Sequence, residues 1–190
     1  NLNQHNILEN HKNYFFIFIL MDVILVDNKD NEIGRQEKID AHKQGNLHRA
    51  FSIFIFNNKN ELLLQKRSDK KYHSANLWSN TCCSHPTSDN LIDDARLRLK
   101  EEFGFTCKLQ NMFSFIYKVN FNNGLIENEY DHVLFGKFDD KVYPNENEIS
   151  DYEWISLNDL KKNIEHNPDD YSHWLKKILN KVIEINSTYF

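Results

Sequence analysis

A chain of 190 residues and 22.7 kDa has room for one sizeable hydrophobic core, which excludes a large barrel or a tandem of full domains. Forty per cent hydrophobic and 13% aromatic composition is too apolar for a disordered chain, and a net charge of -5 gives no general attraction to polyanions, so no nucleic-acid partner is expected. Three cysteines, with Cys82 and Cys83 adjacent, make neither a disulfide framework nor a zinc ribbon, so a reducing, cytoplasmic compartment is expected.

The apolar run at residues 14–21 stops at Asp22, well short of the roughly 20 residues that span a bilayer, and no membrane partner is expected. It carries no clear basic start or small-residue cleavage site, so secretion has little support, and the sequon Asn186-Ser187-Thr188 is read as chance. Residues 1–20 are read as an extension outside a functional domain at 21–190. Apolar or β-prone runs follow at 23–26, 51–56, 62–64, 113–119, 132–138 and 152–155. With 5 Gly and 3 Pro against 26 Asn, Asn-rich spots are read as turns, the clearest being a hairpin turn at 57–60. Between the strands, residues 88–103 predict a helix: Ser88 or Asp89 can cap it, Leu91, Ala95 and Leu99 repeat every four residues, and Gly104 stops it. Trp174, Leu175, Ile178 and Val182 predict a second helix over 169–185. No repeat or linker divides the chain, and the pattern is that of a single mixed α+β domain, with a monomer expected.

Several side chains could carry chemistry. His42, His48 and His85 are each an ordinary histidine taken singly. Glu127 and Glu129 stand at i and i+2, which on a strand puts both carboxylates on one side, where they repel unless a cation or a proton lies between them. The alternative is a solvated edge strand. Cys83 and His85 have the same spacing, so an extended segment puts thiol and imidazole on one face and turns Cys82 away. Three histidines and two glutamates suit Zn, Mn or Fe better than Ca. Arg98 and Glu102 share a helix face at i and i+4, as a surface ion pair would. The cluster Lys66-Arg67-Ser-Asp-Lys70-Lys71 is either a solvated hairpin exit or an anion clamp built from a guanidinium fork and mobile ammonium groups.

Asn80-Thr-Cys-Cys-Ser-His-Pro86, Leu47-His-Arg-Ala-Phe51, Leu62-Leu-Leu-Gln-Lys-Arg-Ser68 and Glu127-Asn-Glu129 together resemble type I isopentenyl-diphosphate delta-isomerase, in order, over about residues 21–177. The resemblance implies a Nudix-like α/β/α sandwich with a mixed sheet, and interconversion of isopentenyl and dimethylallyl diphosphates. It implies Cys83 and Glu129 as the catalytic pair. His42, His48, His85, Glu127 and Glu129 would then hold one divalent transition-type ion (Mn, Zn or Fe). Lys38, Arg67, Lys71 and Arg98 would surround the diphosphate, Glu102 would help hold a bridging Mg, and Tyr117 and Trp174 would line the substrate pocket. The rival enzyme is a Nudix hydrolase acting on a diphosphate. Its box, laid so that the final Gly falls on Gly104, matches Glu101 and Glu102 but meets Cys83 at the first Gly, Asp89 at the first Glu and Leu97-Arg98 in place of Arg-Glu. A third reading is a metal-stabilised scaffold that binds a partner through aromatic surface, which would need neither the basic cluster nor the acid pair.

Overall fold

The computed structural model describes residues 22–71 and 73–189; the apolar run at 14–21 and the expected extension at 1–20 lie outside the described residues. Strands β1 (Asp22–Val26) and β2 (Glu32–Glu37) form a hairpin, followed by helix α1 (Lys38–Gln44). Strands β3 (His48–Phe56) and β4 (Glu61–Arg67) flank the Asn-rich turn, in which Asn60 takes a left-handed φ of 59° as its sequence suggests. Short strands β5 (Trp78–Ser79) and β6 (Cys82–Ser84) precede helix α2 (Leu91–Phe103). The long hairpin of β7 (Leu109–Asn120) and β8 (Ile126–Lys137) leads to β9 (Ile149–Ser156), helix α3 (Leu157–His166), a 3-10 turn (Pro168–Asp170) and helix α4 (His173–Tyr189). No helix of the described residues is long and apolar enough to cross a membrane.

The sheet is mixed, and β3 is its hub. β8 runs parallel to β3 along its whole length, whereas β6 pairs antiparallel to it and β9 pairs antiparallel to β4. Alternation along β3 feeds two cores. Phe51, Ile53 and Ile55 pack with Ala95, Leu99 and Phe103 of α2, while Phe54 and Phe56 pack with Val133 and Phe135 and with Leu175, Ile178 and Val182 of α4. Burying each such side chain stabilises the fold by roughly 1.5–3 kcal/mol, and the two-sided burial gives helices on both faces of the sheet.

Four local expectations change. Helix α2 starts at Leu91 with Asn90 as its cap, because the backbone N–H groups of Thr87 and Ser88 are drawn back onto the Asp94 carboxylate. The last helix starts at His173 rather than 169, since Pro168 opens a separate 3-10 turn that ends at Asp170 and Tyr171 is extended. Helix α1 ends at Gly45, whose φ of 67° suits glycine. This short helix lacks the apolar repeat that marks a helix in sequence, whereas α3 has one, Leu157, Leu160 and Ile164 behind the Ser156 cap, although it is not among the expected helices.

Candidate active site

The polar end of one sheet face forms the site. Residues paired across neighbouring strands point to the same side. β3 sets His48 beside Glu129 of β8 and Ser52 beside Cys83 of β6, so His48, Ser52, Glu129, Asp131 and Cys83 share a face. Farther along the same face the residues become Phe54, Phe56, Val133 and Phe135. Polar chemistry is thus mounted directly on a packed apolar core. Cys82 turns the other way into the α2 core, as its alternation predicts.

His42, His48, His85 and Glu129 offer ligand atoms that all lie within 4.8 Å of one another. Nδ1 of His42 lies 2.7 Å from the Lys38 carbonyl and Nδ1 of His48 lies 2.8 Å from the Asn46 carbonyl. A carbonyl accepts, so each Nδ1 carries the proton and each Nε2 keeps a lone pair. Nε2 of His48 is buried without a hydrogen-bond partner, 3.7 Å from Glu129 Oε1, and His85 Nε2 lies 3.0 Å from the same oxygen. Burial, with the neighbouring His48, pushes His42 down to about 4; burial, with Lys38 nearby, pushes His85 down to about 3. Neutral imidazoles crowded around a carboxylate are a donor set that fits a divalent ion.

Glu127 is turned partly away from this group. Its Oε1 lies 3.1 Å from Nε2 of His73, and His42, His73 and Glu127 form a second, overlapping set of possible ligands. Tyr117 Oη is 2.6 Å from Glu129 Oε2 and 3.1 Å from Glu127 Oε2. Having one proton, the phenol donates to the nearer Glu129. Burial and the Glu129 charge raise Glu127 well above the usual carboxylate range. Burial opposes the Glu129 charge too, yet that carboxyl lies well below its ordinary value, with the Tyr117 hydroxyl donating to it at 2.6 Å. A bound cation would favour ionisation of both. His73 was not singled out in the sequence, because it lies in an irregular loop where no periodicity marks a facing partner.

Cys83 Sγ donates to Asn80 Oδ1 at 3.1 Å and stands 3.6 Å from Ser52 Oγ, which donates to Asp131 at 2.7 Å. Burial, then the nearby Asp131, pushes the thiol up to about 12.

The basic residues do gather at this end of the sheet, but as a paired network rather than a solvated patch. Lys38 is lowered to about 8, by burial first and then by the charges of Lys71, Arg98 and Arg67, with Glu129 opposing. Arg98 bonds Glu102 at 2.7 Å and Glu148 at 2.9 Å, and Lys71 also pairs with Glu148. The expected surface pair Arg98–Glu102 is therefore buried. Glu102 has one oxygen on Arg98 and the other on Gln65 Nε2 at 3.0 Å, so a Mg ion there would share an oxygen with one of these donors. Arg67 is buried, donates to the carbonyls of His73 and Ser74 at 3.1 Å each, and lies over the Trp174 ring at 5.2 Å. It anchors the loop after β4 as well as adding charge. Glu148, the counter-charge of the network, sits in a turn before β9 and carried no signal in the sequence.

The position at which the Nudix hydrolase box has a glutamate beside its arginine holds Arg98, buried among acids, which removes one carboxylate that a hydrolytic metal cluster requires. Residues 46–176 match the NUDIX domain. The chain is 52% identical over 159 residues to isopentenyl-diphosphate Delta-isomerase 2 of Photorhabdus laumondii, covering 83% of this chain and 90% of that protein. It is 48% identical over 166 residues to isopentenyl-diphosphate Delta-isomerase 2 of Aromatoleum aromaticum, covering 87% and 88% respectively. Among solved structures, DR0079 of Deinococcus radiodurans superposes with a TM-score of 0.69 at 18% identity, over 84% of this chain and 98% of that one, which bears on the fold alone. With His48 on β3, the Cys83 thiol on β6 and the acids on β8 turned to one face, the chain belongs to the NUDIX domain proteins and, among them, to the isopentenyl-diphosphate Delta-isomerase family.

Proposed function

We infer that this chain is an isopentenyl-diphosphate Delta-isomerase, an enzyme that interconverts isopentenyl and dimethylallyl diphosphates. The reading rests on its relatives and, in the structure, on one observation above all: Cys83 and Glu129 are mounted on opposite neighbours of β3 and face the same side. Moving the double bond adds a proton to the terminal carbon and removes one from the neighbouring methylene, so two acid-base groups must flank the substrate. Cys83, kept as a neutral thiol, and Glu129, in contact with Tyr117, are our pair. The buried setting excludes water that would trap a tertiary carbocation-like state, and the Trp174 ring offers a face of negative potential to stabilise it.

His42, His48, His85 and Glu129, with Glu127 beside them, are our ligands for one Mn, Zn or Fe ion, which when bound supplies fixed positive charge and sets which carboxylate oxygen carries a proton. Lys38, Arg67, Lys71 and Arg98 are our diphosphate contacts, and Glu102 our Mg carboxylate. Lys71 and Arg98 would exchange Glu148 for phosphate oxygens. The chain would act as a monomer.

The test is incubation with isopentenyl diphosphate and divalent metal in heavy water. Deuterium-bearing dimethylallyl diphosphate is expected. Release of inorganic phosphate or isopentenyl monophosphate would support the hydrolase instead, and no conversion would favour the scaffold.

A further inference from the structure

Asn80 lies between β5 and β6 and is fully buried. Its amide nitrogen donates to two backbone carbonyls, Ile53 at 3.1 Å and Cys82 at 3.0 Å. Both donors are spent, and a flipped amide would push its oxygen against those two carbonyls, so the orientation is fixed. The oxygen Oδ1 then accepts from the Trp174 indole N–H at 2.9 Å and from the Cys83 thiol at 3.1 Å. Ser79 Oγ lies 3.1 Å from the same oxygen and 3.0 Å from Ser172 Oγ. Trp174 belongs to α4 and Cys83 to β6, two elements on different layers with no strand pairing between them. One acceptor atom joins them.

We propose that Asn80 is a positioning residue whose side-chain oxygen locks the Cys83 thiol and the Trp174 indole into a single rigid frame for the isomerisation. The inference rests on the proposed roles of Cys83 and Trp174 as groups that face the substrate. An indole N–H can only donate, so without Oδ1 it would be a buried donor with nothing to bond, and the ring would shift to find a partner. The thiol would lose its strongest orienting contact at the same time, leaving only Ser52 at 3.6 Å. A displacement of about 1 Å at a reacting group can cost a hundredfold in rate, whereas the diphosphate contacts are made by other residues. The expected signature is thus a fall in kcat of about ten- to a hundredfold with KM for isopentenyl diphosphate within about threefold.

The experiment is Asn80→Ala, assayed beside Cys83→Ala and Trp174→Phe, with metal content measured in each. In parallel, the indole N–H resonances of the three Trp residues are recorded in 15N-labelled protein, and that of Trp174 is assigned by its loss in Trp174→Phe. In Asn80→Ala the Trp174 resonance should move upfield and exchange faster with heavy water, the other two should stay, metal content should be unchanged, and kcat alone should fall. A moved resonance with wild-type kcat, or an unmoved resonance, overturns the proposal. If Asn80→Ala does not fold, Asn80→Ser, whose shorter side chain also withdraws the acceptor, carries the same two readouts: a moved Trp174 resonance with reduced kcat at unchanged KM supports the frame, and an unmoved resonance or wild-type kcat overturns it. Wild-type turnover in Cys83→Ala would locate the failure in the reading of the thiol itself and remove the function assigned to Asn80.

Discussion

His48 and Glu129 are direct neighbours across the parallel strands β3 and β8, with Nε2 of the histidine 3.7 Å from Oε1 of the glutamate. That gap is too long for a hydrogen bond and suits two ligands facing one ion. Their juxtaposition follows from a strand pairing that joins residues 81 positions apart, and it makes the proposed metal site a product of the sheet rather than of a local motif.

The first prediction concerns that site. Purified protein should hold about one divalent ion per chain, and His48→Ala or His85→Ala should reduce this to a small fraction, read by elemental mass spectrometry after gel filtration. Full occupancy in both variants would place the metal elsewhere.

The second separates the adjacent cysteines. Cys83→Ala should lower kcat by about 10²- to 10⁴-fold, the usual worth of a positioned acid-base group. Cys82→Ala leaves a small void among Phe51, Ile53 and Leu99, so it should lower the melting temperature while most turnover survives. Equal kinetic losses in two folded variants would refute the assignment.

The third addresses the diphosphate. Contacts to it persist from ground state to transition state, so Lys71→Gln should raise KM at least as much as it lowers kcat, with a loss of roughly 1.5–3 kcal/mol in kcat/KM. Arg67→Lys should also be impaired, since an ammonium cannot reproduce the fork that spans the carbonyls of His73 and Ser74. Steady-state kinetics with wild-type constants in both would move the phosphate clamp to other residues.

The fourth uses Glu148. Burial opposes its charge, but Lys71 and Arg98 prevail and bring the carboxyl from 4.5 down to about 2. A value lower in the folded than the unfolded state stabilises the fold fully above the unfolded value, and that stabilisation fades as pH falls from 4.5 towards about 2. Glu148→Gln should therefore melt lower at neutral pH and lose less stability on acidification through that window. Parallel melting curves of the two proteins would check it, and identical acid limbs would contradict the pairing.

The fifth concerns Mg. One carboxylate is too little to capture Mg firmly, so the ion should arrive with the phosphate oxygens. Glu102→Gln should weaken the Mg dependence of substrate binding, measured by calorimetric titration at several Mg concentrations; unchanged dependence would remove Glu102 from that role.

Residues close together in the chain were legible from spacing alone. The i, i+2 relation of Glu127 and Glu129 puts both on one side of β8, alternation sends Cys82 into the core and Cys83 to the site, and the four-residue repeat of Leu91, Ala95 and Leu99 marks α2. The motifs from Leu47 to Glu129 carried the family. Tertiary structure decided what depends on partners distant in sequence: that His73 meets Glu127, that Glu148 ties Lys71 to Arg98, that Arg67 commits two of its nitrogens to loop carbonyls, and that one oxygen of Asn80 joins Trp174 to Cys83. Periodicity reports which way a side chain leaves its own element, whereas a buried hydrogen bond or ion pair also needs the position of the element opposite, which is set only when the strands pair and the helices pack.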